Sequence, residues 1–341
     1  MTWLHVRRLL AWPAIAAIGA VAAALLFLIA VRPEHGIPGV LQIVAPHLAL
    51  AALALVPLTL LDRRRAGAIA VAALVVAVGV RFGDDWLSLP PATPAPGSTH
   101  LQVLTWNLEA EARPAADTVA MLRLVPADVV ALQELGPGTA AAIEADATLT
   151  ARYPYRALVP RGADLLGLGV LSRFPIADPT FGVDPALQEA TVDLGGGRSL
   201  TVLNAHTIHV GVDRAGRRGP PIGLDTAERD ADLTVIRDRV EARIAAGRSV
   251  VLLGDLNLAA SEPAFDRFIA GLSEVHRAVG EGPGWTWRPV QLELLGSGLL
   301  RIDHVIASPD IEPLGIAGRC PEIGDHCLVE AGLAIPPGAA G

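Results

Sequence analysis

The chain has 341 residues, a formal net charge of −8 at pH 7, 52% hydrophobic residues and a mean hydropathy of +0.45. It is long enough for one sizeable domain and a further segment, and it is too apolar for an ordinary soluble protein. All 27 basic residues are arginines, and residues 98–341 hold 20 of them against 31 acidic residues. The net charge of −11 in that region weakens the case for non-specific DNA binding, which depends on counterion release by basic surfaces.

Three long apolar runs near the N-terminus predict a membrane anchor. They cover approximately residues 9–31, 37–61 and 66–82, and a spanning helix needs about 20 apolar residues. A cleaved signal peptide would explain the first run alone. The third run is the shortest and reaches spanning length only with its final arginine and phenylalanine at the interface. A transporter or channel has little support, because His47 is the only candidate intramembrane ionisable group.

The arginines around these runs predict the orientation of the anchor. Arg7 and Arg8 precede the first run, and Arg63, Arg64 and Arg65 lie between the second and third. The positive-inside rule puts both groups in the cytoplasm. Three crossings then place the rest of the chain outside the cytoplasm, whereas a third run that does not cross would leave it inside. We predict a multi-pass protein of the cytoplasmic membrane with an extracytoplasmic C-terminal part.

The predicted organisation is an anchor at 1–82, a Pro-rich linker at 83–99, a large domain at 100–335 and a tail at 336–341. Predicted strands in the domain are LQVLTW, DVVALQ, LGVLS, ATVDL, SLTVLNA, SVVLLG, IDHVIA and CLVEAGLAI. Predicted helices cover 115–125, 139–151, 225–246 and 263–272. DLGGGRSL predicts a hairpin turn, in which the glycines supply positive φ angles. Strands mixed with peripheral helices indicate a layered α+β domain.

Polar residues follow or interrupt several of these apolar strands. The segments are LTWNLEA, VVALQEL, LTVLNAHTIH, VVLLGDLNLAA, RIDHVIAS and IGDHCLV. In the fourth, Asp255 and Asn257 have the spacing that puts two side chains on one face of a strand, and Gly254 allows close backbone approach. The same pattern also suits a strand followed by an Asx-type turn. Each segment alone has such a structural explanation, but six together favour a common site.

These six segments, in this order along the chain, resemble the motifs of the endonuclease/exonuclease/phosphatase superfamily, which has the DNase-I-like fold. Its motifs read here Trp106-Asn107, Gln133-Glu134, His206, Gly254-Asp255-Leu256-Asn257, Ile302-Asp303-His304 and Gly324-Asp325-His326, and LSRFPI is similar to a further family segment. The resemblance covers about residues 100–335 and implies a four-layer α/β/β/α sandwich, in which two packed mixed β-sheets are flanked by helices. The chain departs from the family at Gly324, where a serine is usual. The departure removes a hydroxyl but no metal ligand.

The chemistry of these residues suits metal-assisted hydrolysis of a phosphate ester. Asn107 and Glu134 supply oxygen ligands suited to Mg²⁺, with Mn²⁺ as the alternative, and we expect Asp325 near the metal. His326, oriented by Asp303, is expected to act as the general base on water.

The remaining strand-end residues are expected to act on the phosphate itself. Asp255 and Asn257 would position the attacking water and the phosphoryl oxygens. His206, as an imidazolium, would stabilise the pentacoordinate phosphate and assist the leaving group.

Five further residues have alternative interpretations. Trp285 and Trp287 could wall the substrate pocket or stack on a base, although core packing explains them as well. Arg217, in an arginine-rich segment, could clamp a phosphate or belong to a solvated loop. Cys320 and Cys327 could close a short disulfide in an oxidising compartment or remain two buried thiols.

Two classes of function follow from these observations. The first is a membrane-anchored phosphoesterase whose substrate is a nucleic acid, or a lipid or small-molecule phosphodiester or phosphomonoester. The prevalence of nucleases in the superfamily favours nucleic acid, and the acidic charge and the tether favour a substrate near the bilayer. The second is a non-catalytic, membrane-tethered binding or sensor module, against which the intact set of candidate residues argues. No protein partner can be inferred.

Overall fold

The computed structural model describes residues 3–61, 65–87, 90–91, 93–110, 112–162, 164–216, 219–289, 291–292, 297–322 and 324–337. The chain forms two compact units. One comprises Met1–Leu87, Gly211–Asp225 and Ser261–Phe265, and the other comprises Ser88–Val210, Thr226–Ala260 and Asp266–Gly341.

The elements are numbered in chain order. The helices are α1 (Trp3–Val31), α2 (Gly36–Thr59), α3 (Arg65–Trp86), α4 (Ala115–Leu124), α5 (Pro137–Ala145), α6 (Ala147–Arg152), α7 (Ala227–Ala245), α8 (Pro263–Phe268) and α9 (Val275–Val279). The strands are β1 (Thr99–Asn107), β2 (Val129–Gln133), β3 (Tyr155–Val159), β4 (Leu168–Ser172), β5 (Ile176–Val183), β6 (Ala186–Gly195), β7 (Arg198–His206), β8 (Gly211–Arg214), β9 (Pro221–Asp225), β10 (Ser249–Asp255), β11 (Ser273–Glu274), β12 (Asp303–Ala307), β13 (Glu312–Arg319) and β14 (Leu328–Ile335).

The first unit is built around α1, α2 and α3, each of which is long and apolar enough to cross a membrane. The three helices pack on one another. Ala45, Ala49 and Ala52 of α2 are buried among them, and such small side chains let helix backbones approach closely. The third apolar run, predicted at 66–82, forms a helix from Arg65 to Trp86 and so has spanning length.

Two further segments complete the first unit. Strands β8 and β9 form an antiparallel hairpin, and β9 contacts α2. The Ser261 hydroxyl donates to the carbonyl oxygen of Ile43 in α2 (3.4 Å). The Arg81 guanidinium of α3 donates to the carbonyl oxygen of Ser261 and to the Gln42 Oε1 atom. These contacts join the segment Ser261–Phe265 to the N-terminal part of α2 and the C-terminal part of α3.

The second unit contains two mixed β-sheets. In the part of the chain that is described, the first sheet has the order β13-β14-β1-β2-β4-β3 and the second the order β11-β12-β10-β7-β6-β5. The pairs β1–β2 and β7–β10 are parallel, and the other described pairs in these sheets are antiparallel. Both sheets are therefore mixed, as predicted.

Alternating side chains of β1 separate two cores. Leu101 and Val103 pack between the sheets with Leu253 of β10, whereas Leu104 and Trp106 pack with residues of α4 and α5. This alternation follows from the two-residue repeat of a strand. Helix α7 contacts β7 and β10 of the second sheet. The unit is thus the predicted four-layer α/β/β/α sandwich, and the fold prediction is confirmed.

Local differences from the sequence analysis have physical causes. The helix predicted at 139–151 is two helices, because the Asp146 side chain accepts a hydrogen bond from the Leu149 amide (2.9 Å) and caps a new helix, α6. The predicted turn between β6 and β7 is present, with positive φ at Gly195, Gly196 and Gly197. Strands β3, β5, β8, β9, β11 and β13 were not predicted.

Candidate active site

Polar side chains from both sheets meet where strands end. In the second sheet, Asp255 at the end of β10 pairs with His206 at the end of β7 and with Asp303 at the start of β12. Cross-strand partners project from the same face of a sheet, so these three side chains lie side by side. In the first sheet, Asn107 ends β1 and Glu134 directly follows β2.

His326 lies just before β14 and contacts Asp303. The His326 Nδ1 atom is 3.0 and 3.1 Å from the two carboxylate oxygens of Asp303, and its Nε2 atom is 3.6 Å from the Asp255 Oδ2 atom. All three residues are buried. Burial alone would lower the pKa of His326, but the charges of Asp303 and Asp255 outweigh it and raise this pKa to about 10. The Asp303 carboxylate orients the ring through Nδ1, so the Nε2 atom is left to exchange a proton.

Asn107 links the carboxylates of the two sheets. Its Nδ2 atom donates to the Glu134 Oε1 atom and to the Asp255 Oδ2 atom, both at 3.0 Å. Glu134 has a φ of 49°, a left-handed conformation that is rare outside glycine and is often found at functional sites. The His206 Nε2 atom lies 3.6 Å from Glu134 Oε1 and 3.8 Å from Asp255 Oδ2. The His206 Nδ1 atom is 3.2 Å from the carbonyl oxygen of Leu165, which orients the ring.

Asp255 and Asn257 form an Asx-type turn. Strand β10 ends at Asp255, whose Oδ1 atom accepts a hydrogen bond from the Asn257 amide (2.9 Å), and the Asn257 side chain donates to the carbonyl oxygen of Thr207 (2.9 Å). The prediction that both side chains project from one strand was wrong, because Asn257 lies beyond the strand with a φ of 44°. A Cβ atom at Gly254 would overlap the carbonyl oxygen of Ala205, which explains the glycine.

Asp325 has an incompletely paired carboxylate. Its Oδ2 atom accepts from the Trp287 Nε1 atom (3.2 Å), and its Oδ1 atom is 3.8 Å from His326 Nε2. Among the described residues, Oδ1 has no hydrogen-bond partner although it is buried. Burial raises the pKa of Asp325 to about 7. A buried carboxylate oxygen without a donor is suited to a proton or a cation.

A cavity of about 790 Å³ opens onto these groups. Its lining includes Glu134, His206, His209, Asp255, Asn257, Trp287, Asp325 and His326. Trp285 lines a different cavity, of about 550 Å³, so the two tryptophans do not wall one pocket. Trp287 makes isolated β-bridges to Leu300 and His326, outside the named strands. Arg217 lies outside the described residues.

The segment that carries Asp325 and His326 is closed by a disulfide between Cys320 and Cys327. The Cys327 amide donates to the carbonyl oxygen of Thr286 (2.7 Å). The Thr286 hydroxyl also accepts from the Asp303 amide (3.1 Å). Thr286 therefore makes hydrogen bonds both to Asp303, at the start of β12, and to Cys327, in the disulfide-closed segment.

Glu109 and Arg113 also contact the site, although no sequence motif marks them. Glu109 accepts hydrogen bonds from the amide of Asp325 (2.8 Å) and, at 3.4 Å, from that of His326, and it pairs with Arg113. Both residues follow β1 in a loop and a turn, where no strand or helix periodicity singles them out. The one available signal was an acidic residue two positions after Asn107.

The donor set of the site fits a hard divalent cation. Asp255, Asp303 and His326 form a buried cluster in which one ligand atom from each lies within 4.8 Å of the others. Both carboxylate oxygens of Asp303 contact the imidazole, so Asp303 is engaged with His326. Glu134 and the Oδ1 atom of Asp325 are oxygen donors of the type that Mg²⁺ and Ca²⁺ prefer.

The chain matches the model of the Endonuclease/Exonuclease/phosphatase family over residues 104–326, and it belongs to that family. The description of this family names endonucleases, exonucleases and phosphatases. A comparison with curated proteins found no match.

Solved structures share the fold. An endonuclease/exonuclease/phosphatase family protein from Bacteroides thetaiotaomicron has a TM-score of 0.53 and 15% identity, over 70% of this chain and 99% of that one. D. rerio TDP2 complexed with single-strand DNA product has a TM-score of 0.52 and 17% identity, over 69% and 99%. The 3' phosphatase NExo from Neisseria, bound to a product DNA hairpin, has a TM-score of 0.52 and 18% identity, over 68% and 98%.

Proposed function

We propose that this protein hydrolyses phosphate esters by cation-assisted attack of water, at the outer face of the membrane that its N-terminal helices span. The observation that carries the proposal is the contact of His326 with Asp303. Asp303 is also the cross-strand partner of Asp255, which pairs in turn with His206, so these side chains lie side by side on three neighbouring strands. An oriented imidazole, a second histidine and carboxylates around one cavity are the groups that this reaction needs.

His326 is proposed as the general base. Its Nδ1 atom faces Asp303, and its Nε2 atom faces the cavity side, between Asp255 and Asp325. Asp303 orients the ring and stabilises the imidazolium that forms when Nε2 takes the proton from water.

The second histidine and the Asx-type turn are proposed to act on the phosphate. His206, when protonated, donates from Nε2 to the leaving oxygen and offsets charge on the pentacoordinate phosphate. Asp255 and Asn257 line the same cavity and are proposed to position the water and the phosphoryl oxygens.

Asn107, Glu134 and Asp325 are proposed to hold the cation, with Mg²⁺ as the first candidate and Mn²⁺ as the second. When bound, such a cation neutralises developing negative charge on the phosphoryl oxygens. Hydrogen bonds from Asn107 to Glu134 and Asp255 keep the two carboxylates close together. Their like charges repel each other, and the positive charge of a bound cation would offset this repulsion.

Two classes of substrate fit the site. The DNA products in the TDP2 and NExo structures support a nucleic acid. The net charge of −11 in residues 98–341 and the membrane anchor support a lipid or small-molecule ester instead. Trp287, which lines the cavity and contacts Asp325, is the proposed wall for either substrate. Arg217 stays a candidate phosphate ligand from sequence alone.

The proposed domain division is an anchor at 1–82, a linker at 83–99, a catalytic domain at 100–335 and a tail at 336–341. The arginine pattern and three helices of spanning length support an extracytoplasmic catalytic domain.

The test uses the purified full-length protein in detergent. Bis(p-nitrophenyl) phosphate, p-nitrophenyl phosphate, plasmid DNA and a short-chain phosphatidylcholine are assayed in parallel, with Mg²⁺ or Mn²⁺ and with EDTA. We expect EDTA-sensitive hydrolysis of at least one substrate, and the preferred one identifies the substrate class. A folded, cation-binding protein that cleaves none of them would favour the non-catalytic binding module.

A further inference from the structure

Gly324 lies directly before Asp325 and His326, at a position where the sequence resemblance implies a serine. Its φ is 108°, and a Cβ atom at this position would overlap the Arg113 guanidinium and the Glu109 carboxylate. The space that a serine side chain would need is therefore filled by two side chains from the loop and turn after β1. Neither of them belongs to the motifs quoted in the sequence analysis.

Glu109 connects the two halves of the site. Its amide donates to the Asn107 Oδ1 atom (2.9 Å) at the end of β1. Its carboxylate accepts from the Asp325 amide at 2.8 Å and lies 3.4 Å from the His326 amide. Glu109 and Ala110 both have positive φ, at 55° and 52°, which is costly for residues with a side chain. One residue thus touches a proposed cation ligand and the backbone of the proposed base.

Arg113 keeps the Glu109 carboxylate in place. The two side chains form an ion pair four residues apart, and they are only 3% and 11% exposed. The Arg113 guanidinium carbon lies 4.8 Å from the centroid of the Trp106 ring, a cation–π geometry. A buried, paired carboxylate has little freedom to turn toward solvent, so its oxygen stays aimed at the Asp325 amide.

We propose that Glu109 and Arg113 are positioning residues that hold Asp325 and His326 in their reactive geometry, and that Gly324 is required to make room for them. The inference rests on the proposed function only for its kinetic consequence. Displacement of a reacting group by about 1 Å can cost roughly 100-fold in rate. The pair therefore acts on turnover through the backbone of Asp325 and His326.

The kinetic test compares Glu109→Ala with Glu109→Gln in the full-length protein, using bis(p-nitrophenyl) phosphate and saturating Mn²⁺. We expect Glu109→Ala to lower kcat by about 10- to 100-fold with little change in KM. Glu109→Gln keeps an oxygen that accepts from the Asp325 amide and should retain most of the activity. Glu241→Ala, which breaks the exposed Arg237–Glu241 pair of α7, is the matched control and should behave as wild type.

A second variant and a second readout separate positioning from folding and from activity. Glu109→Ala/Arg113→Leu leaves no unpaired buried charge and should fold, yet show the low kcat of Glu109→Ala. Hydrogen exchange of the peptide spanning residues 324–328 needs no turnover. It should accelerate in Glu109→Ala and stay slow in Glu109→Gln. Wild-type exchange in Glu109→Ala would overturn the inference even if the wild-type enzyme cleaves none of the test substrates. If the wild type is active, equal loss of kcat in the Ala and Gln variants would overturn it as well.

Discussion

At the scale of single residues, the charge balance around His326 has a direct consequence for catalysis. With its pKa raised to about 10, the imidazole holds its proton at neutral pH, whereas a general base must first release that proton. The carboxylates of Asp303 and Asp255 cause the rise, so a cation bound beside Asp255 would lower this pKa. The rate should therefore increase with pH from neutral into the alkaline range.

The Asp303→Asn variant tests this assignment. Loss of one negative charge lowers the pKa of His326, so the ascending limb of kcat/KM against pH should move to lower pH. The maximum rate should also fall, by about 100- to 10,000-fold, because asparagine does not stabilise the imidazolium. A pH profile at saturating cation measures both effects. A limb that moves to higher pH would show that another group carries the base function.

Glu134 supplies the second prediction at this scale. Glu134→Ala removes a proposed oxygen ligand, so the Mg²⁺ concentration for half-maximal activity should rise by at least about 10-fold, roughly the free energy of one charge-assisted contact. Titration of activity against free Mg²⁺ measures it. Glu144→Ala, at an exposed acidic residue of α5, is the control and should leave the titration unchanged. An unchanged titration in Glu134→Ala would remove Glu134 from the ligand set.

Most of the candidate site could be predicted because it follows a simple rule. Asn107, Glu134, His206, Asp255 and Asp303 are polar residues at the ends of apolar strands, and the sheet register then brings them together. Glu109 could not be predicted in the same way. Its importance arises from contacts with residues more than 200 positions away in the chain, which no local pattern encodes.

At the scale of elements, burial explains which strands could be read from the sequence. The eight predicted strands correspond to β1, β2, β4, β6, β7, β10, β12 and β14, all inside the two large sheets. The strands that were missed are the sheet edges β3, β5, β11 and β13 and the hairpin β8–β9. An edge strand needs less apolar sequence because one side lacks a partner, and both β5 and β13 contain proline and glycine.

The disulfide-closed segment is the element whose mechanical role is easiest to test. Cys320 and Cys327 enclose Asp325 and His326, so the bridge restricts the segment that carries the proposed base. Reduction with a phosphine, which does not compete for the metal as a dithiol would, should lower kcat by about 10-fold or more. Turnover before and after reduction measures it.

A variant without the bridge controls for side effects of the reductant. Cys320→Ser/Cys327→Ser should show the low kcat of the reduced protein and should not respond to the phosphine. Full activity in this double variant would mean that the Glu109 contacts alone hold the segment.

At the scale of the whole molecule, the three N-terminal helices raise the question of which side of the membrane the proposed catalytic domain occupies. Each helix has membrane-spanning length, and the arginine pattern predicts a cytoplasmic N-terminus. Both native cysteines are in the disulfide, so an introduced cysteine is a unique thiol.

Cysteine labelling in intact cells tests this topology. Ser98→Cys, just before β1, should react with a membrane-impermeant maleimide from outside. Arg64→Cys, between the second and third apolar runs, should react only after permeabilisation. The reverse pattern would place the catalytic domain in the cytoplasm and exclude an extracytoplasmic substrate.

The most direct test of the proposed hydrolase is the turnover of His326→Ala beside that of His209→Ala, in the full-length protein with Mg²⁺ and the best substrate of the panel. Both histidines line the cavity, but of the two it is His326 that contacts Asp303, and His209 is exposed. We predict EDTA-sensitive turnover in the wild type and in His209→Ala, and a loss of about 100-fold or more in His326→Ala. Wild-type turnover in a folded His326→Ala variant would contradict the account.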